Sequence, residues 1–141
     1  MSRSEPAKDG DAAELSAYER TVLAAWTDTH KKSALMLFIL LALSGQPRWS
    51  SQIRDFITDL SEAYLAVDEQ SMHRALRRVE GLNLITHSQE SVAGTGAKRK
   101  VYELTASGER VLEGYLEGPM AYVTTRLFQD ATAAARRVRT S

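Results

Sequence analysis

The chain has 141 residues, 43% hydrophobic and 26% charged, enough for one domain with a core of its own and too few for two of ordinary size. Eighteen Lys and Arg balance eighteen Asp and Glu, so bulk charge points to neither nucleic acid nor a membrane surface, and any electrostatic function must come from local asymmetry. The absence of cysteine excludes disulfides, thiolate zinc sites and a cysteine nucleophile, and fits a cytoplasmic setting.

Residues 1–10 carry no apolar stretch behind their charges and read as a disordered tail, not a signal peptide. Over residues 11–30, Leu15, Tyr18, Val22, Ala25 and Trp26 recur at spacings of three and four, one face of a first helix. The apolar run 34–43 is half the ~20 residues needed to cross a bilayer, which excludes a span there. Its Leu, Met and Ala content predicts a second helix, 33–44, buried on all sides and stopped by Gly45 and Pro47. Arg48-Trp49 reads as an extended link. A third helix, 52–61, capped by Ser50 or Ser51, aligns Ile53, Phe56, Ile57 and Leu60.

After an irregular connection, 62–67, Asp68 caps a fourth helix that runs to about Gly81. It buries Met72, Leu76 and Val79 and turns Gln70, Ser71, His73, Arg74, Arg77 and Arg78 outward, the three arginines on one side. From Leu84 the period shortens. Residues 84–88 and 98–104 are strand-like and flank a loop in which Gly94 and Gly96 bracket Thr95, so a hairpin is expected. Thr105 caps a further helix with Val111, Leu112, Tyr115 and Leu116, broken at Gly118-Pro119. A last helix, 119–137, carries Tyr122, Val123, Leu127 and Phe128, and 138–141 form a tail.

The fold class expected is mainly α with a small β-hairpin: a winged helix-turn-helix over 31–104, with dimerisation helices at 11–30 and 105–137. In such a fold the helix before the hairpin enters the DNA major groove and the hairpin, the wing, lies over the backbone. Charge agrees. Between Gln70 and Tyr102 six basic residues face only Glu80 and Glu90, whereas residues 1–30 hold three basic residues and six acidic ones.

The DNA contacts expected are therefore Gln70, Ser71, His73, Arg74, Arg77 and Arg78 on the reading helix and Thr95, Lys98, Arg99 and Lys100 on the wing. Arg74, early in the helix, is expected at base edges and the wing cations at phosphates. Leu15, Tyr18, Val22, Trp26, Leu112, Tyr115, Tyr122, Leu127 and Phe128 are more apolar surface than one small winged helix can bury, and are assigned to a homodimer interface. Trp26, Trp49 and Tyr122 are the aromatics that could line a small-molecule effector pocket, against their commoner role in cores and interfaces.

His30, His73 and His87 sit in separate segments without ligand spacing, so neither a metal nor another cofactor is expected. No serine stands in a nucleophile turn, and the chain is not expected to be an enzyme. The alternative to a DNA-binding regulator is a winged helix whose basic face binds an acidic protein surface.

Residues 71–85, SMHRALRRVEGLNLI, and 98–112, KRKVYELTASGERVL, resemble the PadR family of bacterial transcriptional regulators. The family pattern is a Ser-Leu-Tyr-x-Ala-Leu-x-x-Leu-Glu reading helix and a wing ending Arg-x-x-Tyr-x-Leu-Thr-x-x-Gly. The resemblance covers about 33–112 and is most specific at Arg99, Tyr102, Leu104, Thr105 and Gly108. His73 replaces the family's usual Tyr, and Arg48-Trp49-Ser50 stands in place of a His-Gly-Tyr segment. The resemblance implies a homodimeric repressor of double-stranded operator DNA, with the outer helices making the dimer and, in many members, a ligand pocket near it.

Overall fold

The computed structural model describes residues 14–140; the tail expected over 1–10 lies outside them, as does Ser141. In chain order the elements are α1 (Ala17–Ser44), β1 (Arg48–Trp49), α2 (Ser50–Leu60), α3 (Glu69–Gly81), β2 (Ile85–Ser91), β3 (Lys98–Leu104) and α4 (Ala106–Glu117), then a 3-10 turn (Ala121–Thr124) and α5 (Arg126–Thr140). They divide into two units, Lys31–Met120 and a second formed by the segment up to His30 with the segment from Ala121.

Ser16 and Glu19 start α1. The Glu19 N–H donates to the Ser16 hydroxyl oxygen (3.1 Å) and the Ser16 N–H donates to the Glu19 carboxylate (2.8 Å), a reciprocal cap that satisfies two otherwise orphaned donors. The helix then runs 28 residues, about 42 Å, without a break. Two helices, 11–30 and 33–44, were expected here; one forms because Lys31 and Lys32 propagate a helix well and no Gly or Pro intervenes before Gly45.

The hairpin is likewise larger than expected. Arg48-Trp49 is a strand, and the sheet has three strands in the order β1-β3-β2, with Arg48 opposite Tyr102 and Trp49 opposite Val101. The Arg48 guanidinium fixes this strand from behind: its Nε donates to the Ala42 carbonyl (2.7 Å) and its carbon lies 5.1 Å from the Phe56 ring centre. Extended pairing carries straight into α2, whose N-cap is Trp49 and not a serine. Its N–H is satisfied by the Gln52 side-chain oxygen (3.1 Å).

The core of Lys31–Met120 gathers Ile39, Leu40 and Leu43 from α1, Ile53 and Ile57 from α2, and Met72, Leu76 and Val79 from α3, closed by Ile85 and Tyr102. Each such aliphatic side chain contributes about 1.5–3 kcal/mol by leaving water. Leu112, assigned to the dimer interface from its place in an apolar stripe, is instead part of this core; α4 lays that residue against its own chain. Between α2 and α3, Glu62 and Ala63 take positive φ (51° and 70°), a costly choice for residues with a Cβ. The Ala63 N–H to the Thr58 carbonyl (2.8 Å) and the Arg54 guanidinium to the Val67 carbonyl (3.1 Å) hold the segment there while Leu65 and Val67 go inside.

α3 ends at Gly81 as expected, and Asn83, at φ 68°, makes the left-handed turn that follows it. The last helix begins later than expected, at Arg126, because Thr125 accepts the Phe128 N–H (3.1 Å) and caps it after the 3-10 turn; it also runs through 138–140, where a tail was expected.

Candidate nucleic-acid interface

The Asp68 carboxylate accepts the Ser71 N–H at 2.7 Å and starts α3. That bond holds the carboxyl below its ordinary range, the Ser71 hydroxyl and Arg74 adding to the effect and partial desolvation opposing it. Ser71 is spent on this cap: its hydroxyl donates to Asp68 (3.3 Å) and accepts from the Arg74 guanidinium (3.1 Å). Further along, the Glu80 carboxylate meets His87 Nδ1 at 2.7 Å and ties α3 to β2. The His87 ring lies 5.7 Å from that of Tyr102. Burial pushes the Tyr102 phenol up, with Glu80 adding to the shift and Arg77 opposing it.

Between α3, the wing and the start of α2 lies a cleft of about 510 Å³. His73 and Arg77 line it from α3, Arg99, Lys100 and Tyr102 from β3, and Trp49, Ser50 and Ser51 from the strand-to-helix junction; Glu69 adds one carboxylate. Among the described residues none of Arg77, Arg99 and Lys100 is in an ion pair. The Arg99 guanidinium carbon sits 3.3 Å from the centre of the Trp49 ring. The cleft thus presents three cations against one carboxylate, with hydroxyls and helix N–H groups beside them, which suits it to oxyanions such as phosphates.

Four of the residues expected at DNA thus share this cleft: His73, Arg77, Arg99 and Lys100. Gln70 and Arg74 are exposed on α3, and Lys98 is exposed at the start of β3. Thr95 is at the wing tip, its hydroxyl turned to the Val92 carbonyl (3.1 Å) between Gly94 and Gly96, both at positive φ. Arg78 departs from the expectation that the three arginines share one side. Successive helix residues are turned by about 100°, and Arg78 lines a second cavity of about 210 Å³ with Met36, Leu37 and Leu40 of α1 and Val111, Leu112 and Tyr115 of α4.

Trp49, assigned to an effector pocket, has its ring occupied by Arg99, while Trp26 and Tyr122 belong to the other unit and are exposed. Sequence reasoning missed Trp49, Ser50 and Ser51 as part of the cationic cleft; the period-2 alternation of a two-residue strand is too short to see. Among the described residues no cluster of three or more His, Asp and Glu could hold a metal, and no helix is long and apolar enough to cross a membrane.

The family model described as the transcriptional regulator PadR-like family matches residues 39–114, from the end of α1 through the wing into α4. The chain belongs to the PadR-like family of transcriptional regulators. Solved structures repeat the PadR-like fold. A PadR family transcriptional regulator from Eggerthella lenta superposes with a TM-score of 0.63 at 16% identity, over 89% of this chain and 100% of that one. A PadR-like transcription factor from Bacteroides fragilis gives 0.52 at 26% identity, over 82% and 98%. Bacillus subtilis PadR, solved in complex with operator DNA, gives 0.53 at 22% identity, over 59% of this chain and 47% of that one. No curated protein matches the chain. The PadR-like match spans every residue that lines the cleft.

Proposed function

We propose that this PadR-like chain is a homodimeric repressor that binds a pseudo-palindromic operator in double-stranded DNA, with α3 in the major groove and the wing along the backbone. The observation that carries the reading is the cleft in which Arg77, Arg99 and Lys100 converge without ion-pair partners among the described residues. Cations left unpaired by the fold are the usual means of engaging phosphates. The operator complex of Bacillus subtilis PadR, which has the same fold, supports it.

The dimer is supported by an exposed apolar row on α1: Tyr18, Val22 and Trp26, four residues apart, are 76%, 45% and 72% exposed. Tyr122 and Leu127 are exposed as well. An obligate interface built from such residues buries on the order of 2,000 Å² or more. Two-fold symmetry then sets the two α3 helices about 34–36 Å apart for successive major grooves. For an effector, the mainly apolar cavity of about 210 Å³ beside Arg78 is the better candidate than the exposed Trp26, because it is concave and is lined in part by α3.

The deciding experiment is selection of bound genomic fragments followed by titration of the selected operator and an arbitrary duplex across a salt series. The reading requires that log affinity fall linearly with log salt and that the operator bind about 10³-fold or more tighter than the arbitrary duplex. Absence of salt-dependent duplex binding overturns it and favours the acidic-protein partner.

A further inference from the structure

Trp49 stands where a strand meets a helix. It is the last residue of β1, the N-cap of α2 and the Cα partner of Val101 on β3. Arg99, two residues before Val101, is its diagonal cross-strand neighbour on the same face, a separation that an aromatic and a long side chain can close. They do close it: the Arg99 guanidinium carbon lies over the indole, 3.3 Å from the ring centre. Arg99 has another candidate partner, since Glu90 is opposite it on β2, yet the guanidinium lies over the indole. Of the three consecutive wing cations, Lys98 and Lys100 are exposed and Arg99 alone is half-buried.

We propose that Trp49 is a positioning residue for the nucleic-acid interface: its indole holds the Arg99 guanidinium over its face, in the cleft that Arg77 and Lys100 also line, so that the duplex meets a wing cation already fixed in place. The inference rests on the DNA-binding reading above and adds to it a residue outside the reading helix and the wing. Stacking uses the face of a guanidinium and leaves its in-plane N–H donors free for phosphate oxygens. A free arginine must give up rotamer entropy to be held in one geometry; the contact with Trp49 takes on part of that ordering before DNA arrives. The backbone that carries the indole is fixed from two sides, by pairing with β3 and by the Gln52 cap (3.1 Å), so the platform does not move with the wing tip.

The test is a double-mutant cycle read by anisotropy of a short fluorescein-labelled duplex of arbitrary sequence. Trp49→Ala is expected to weaken binding roughly three- to tenfold, the range of a partly desolvated cation–π contact, and Trp49→Phe by less. Arg99→Ala weakens binding too, and adding Trp49→Ala to it changes nothing further. The indole N–H resonance that disappears in Trp49→Phe should shift in Arg99→Ala, which reports the stack in a chain whose fold at β1 is untouched. Losses that multiply in the double mutant, or an indole resonance that ignores Arg99→Ala, overturn the positioning role while leaving the DNA reading intact. A wild-type chain with no salt-dependent duplex binding overturns the reading itself, and the role with it.

Discussion

Arg77 and Arg78 are adjacent in the chain and line different cavities, the first the cationic cleft against the wing and the second the apolar cavity between α1 and α4. A helix turns about 100° per residue, so two neighbouring arginines need not share a task.

The salt dependence of duplex binding should separate them. Arg77→Ala is expected to lower the slope of log affinity against log salt by about 1 per lost phosphate contact, or about 2 in a symmetric dimer. Arg78→Ala should leave the slope unchanged. Equal slopes for both variants would count against the cleft as the phosphate surface.

Arg74 offers a contrast within α3. It lies in the first turns of the helix, where a reading helix enters the groove most deeply, and Arg74→Ala should cost about 1–3 kcal/mol on the operator and little on arbitrary DNA. Comparing the two duplexes side by side checks it; matched losses would mean that Arg74 holds only the backbone.

Gly108 bears on stability, not binding. A Cβ built there would run into the Leu84 carbonyl oxygen and crowd its carbon at 3.0 Å, both backbone atoms that cannot swing aside. Gly108→Ala should therefore destabilise the fold by about 1–3 kcal/mol or more, measurable as a lower thermal midpoint. Gly114→Ala, where nothing lies within 4 Å, is the control and should be neutral or mildly stabilising.

Asp68 gives an acid signature. Its carboxyl is depressed below the ordinary 3.8 in the folded chain, chiefly by the Ser71 N–H. A depressed acid contributes stability that is fully present above its ordinary value and is lost as pH falls through the lowered one. Asp68→Ala should lower the thermal midpoint at neutral pH, and the gap from wild type should close as the solution is acidified below about 3.8. A gap that persists at low pH would mean that the carboxylate's charge plays no part in the cap.

Assembly is checked by sedimentation. The wild type is expected to run as a dimer at micromolar concentration, and Trp26→Glu, which places a charge in the exposed row of Tyr18, Val22 and Trp26, as a monomer. A wild-type chain that is folded and monomeric would remove the dimer from the reading.

The winged-helix part was legible in the sequence where its cues are local. The spacing of Met72, Leu76 and Val79 and the caps at Asp68 and Thr105 each concern residues within a few positions of one another. Features that depend on distant pairing were not legible. β1 is two residues long and exists only through Tyr102 and Val101, some fifty positions away, and the stack of Arg99 on Trp49 follows from that register. The polar pair Lys31-Lys32 interrupts apolar periodicity without interrupting a backbone, which is why one helix looked like two. The split between Arg77 and Arg78 could have been seen from helical periodicity alone, had angle been weighed above proximity.

Thr105 also decides how the wing moves. Its N–H donates to the Leu84 carbonyl (3.0 Å), its hydroxyl donates to the Asn83 carbonyl (2.8 Å) and accepts the Gly108 N–H (2.9 Å), so both ends of the hairpin are stitched to one side chain and its backbone. At the far end the chain turns through Gly94 and Gly96 with exposed neighbours. Deuterium should therefore enter the wing as a gradient, slowest at Ile85 and Leu104 and fastest between Val92 and Ala97. The hairpin is a cantilever clamped at its root, free to follow an uneven backbone at its tip without disturbing the helix packed behind it.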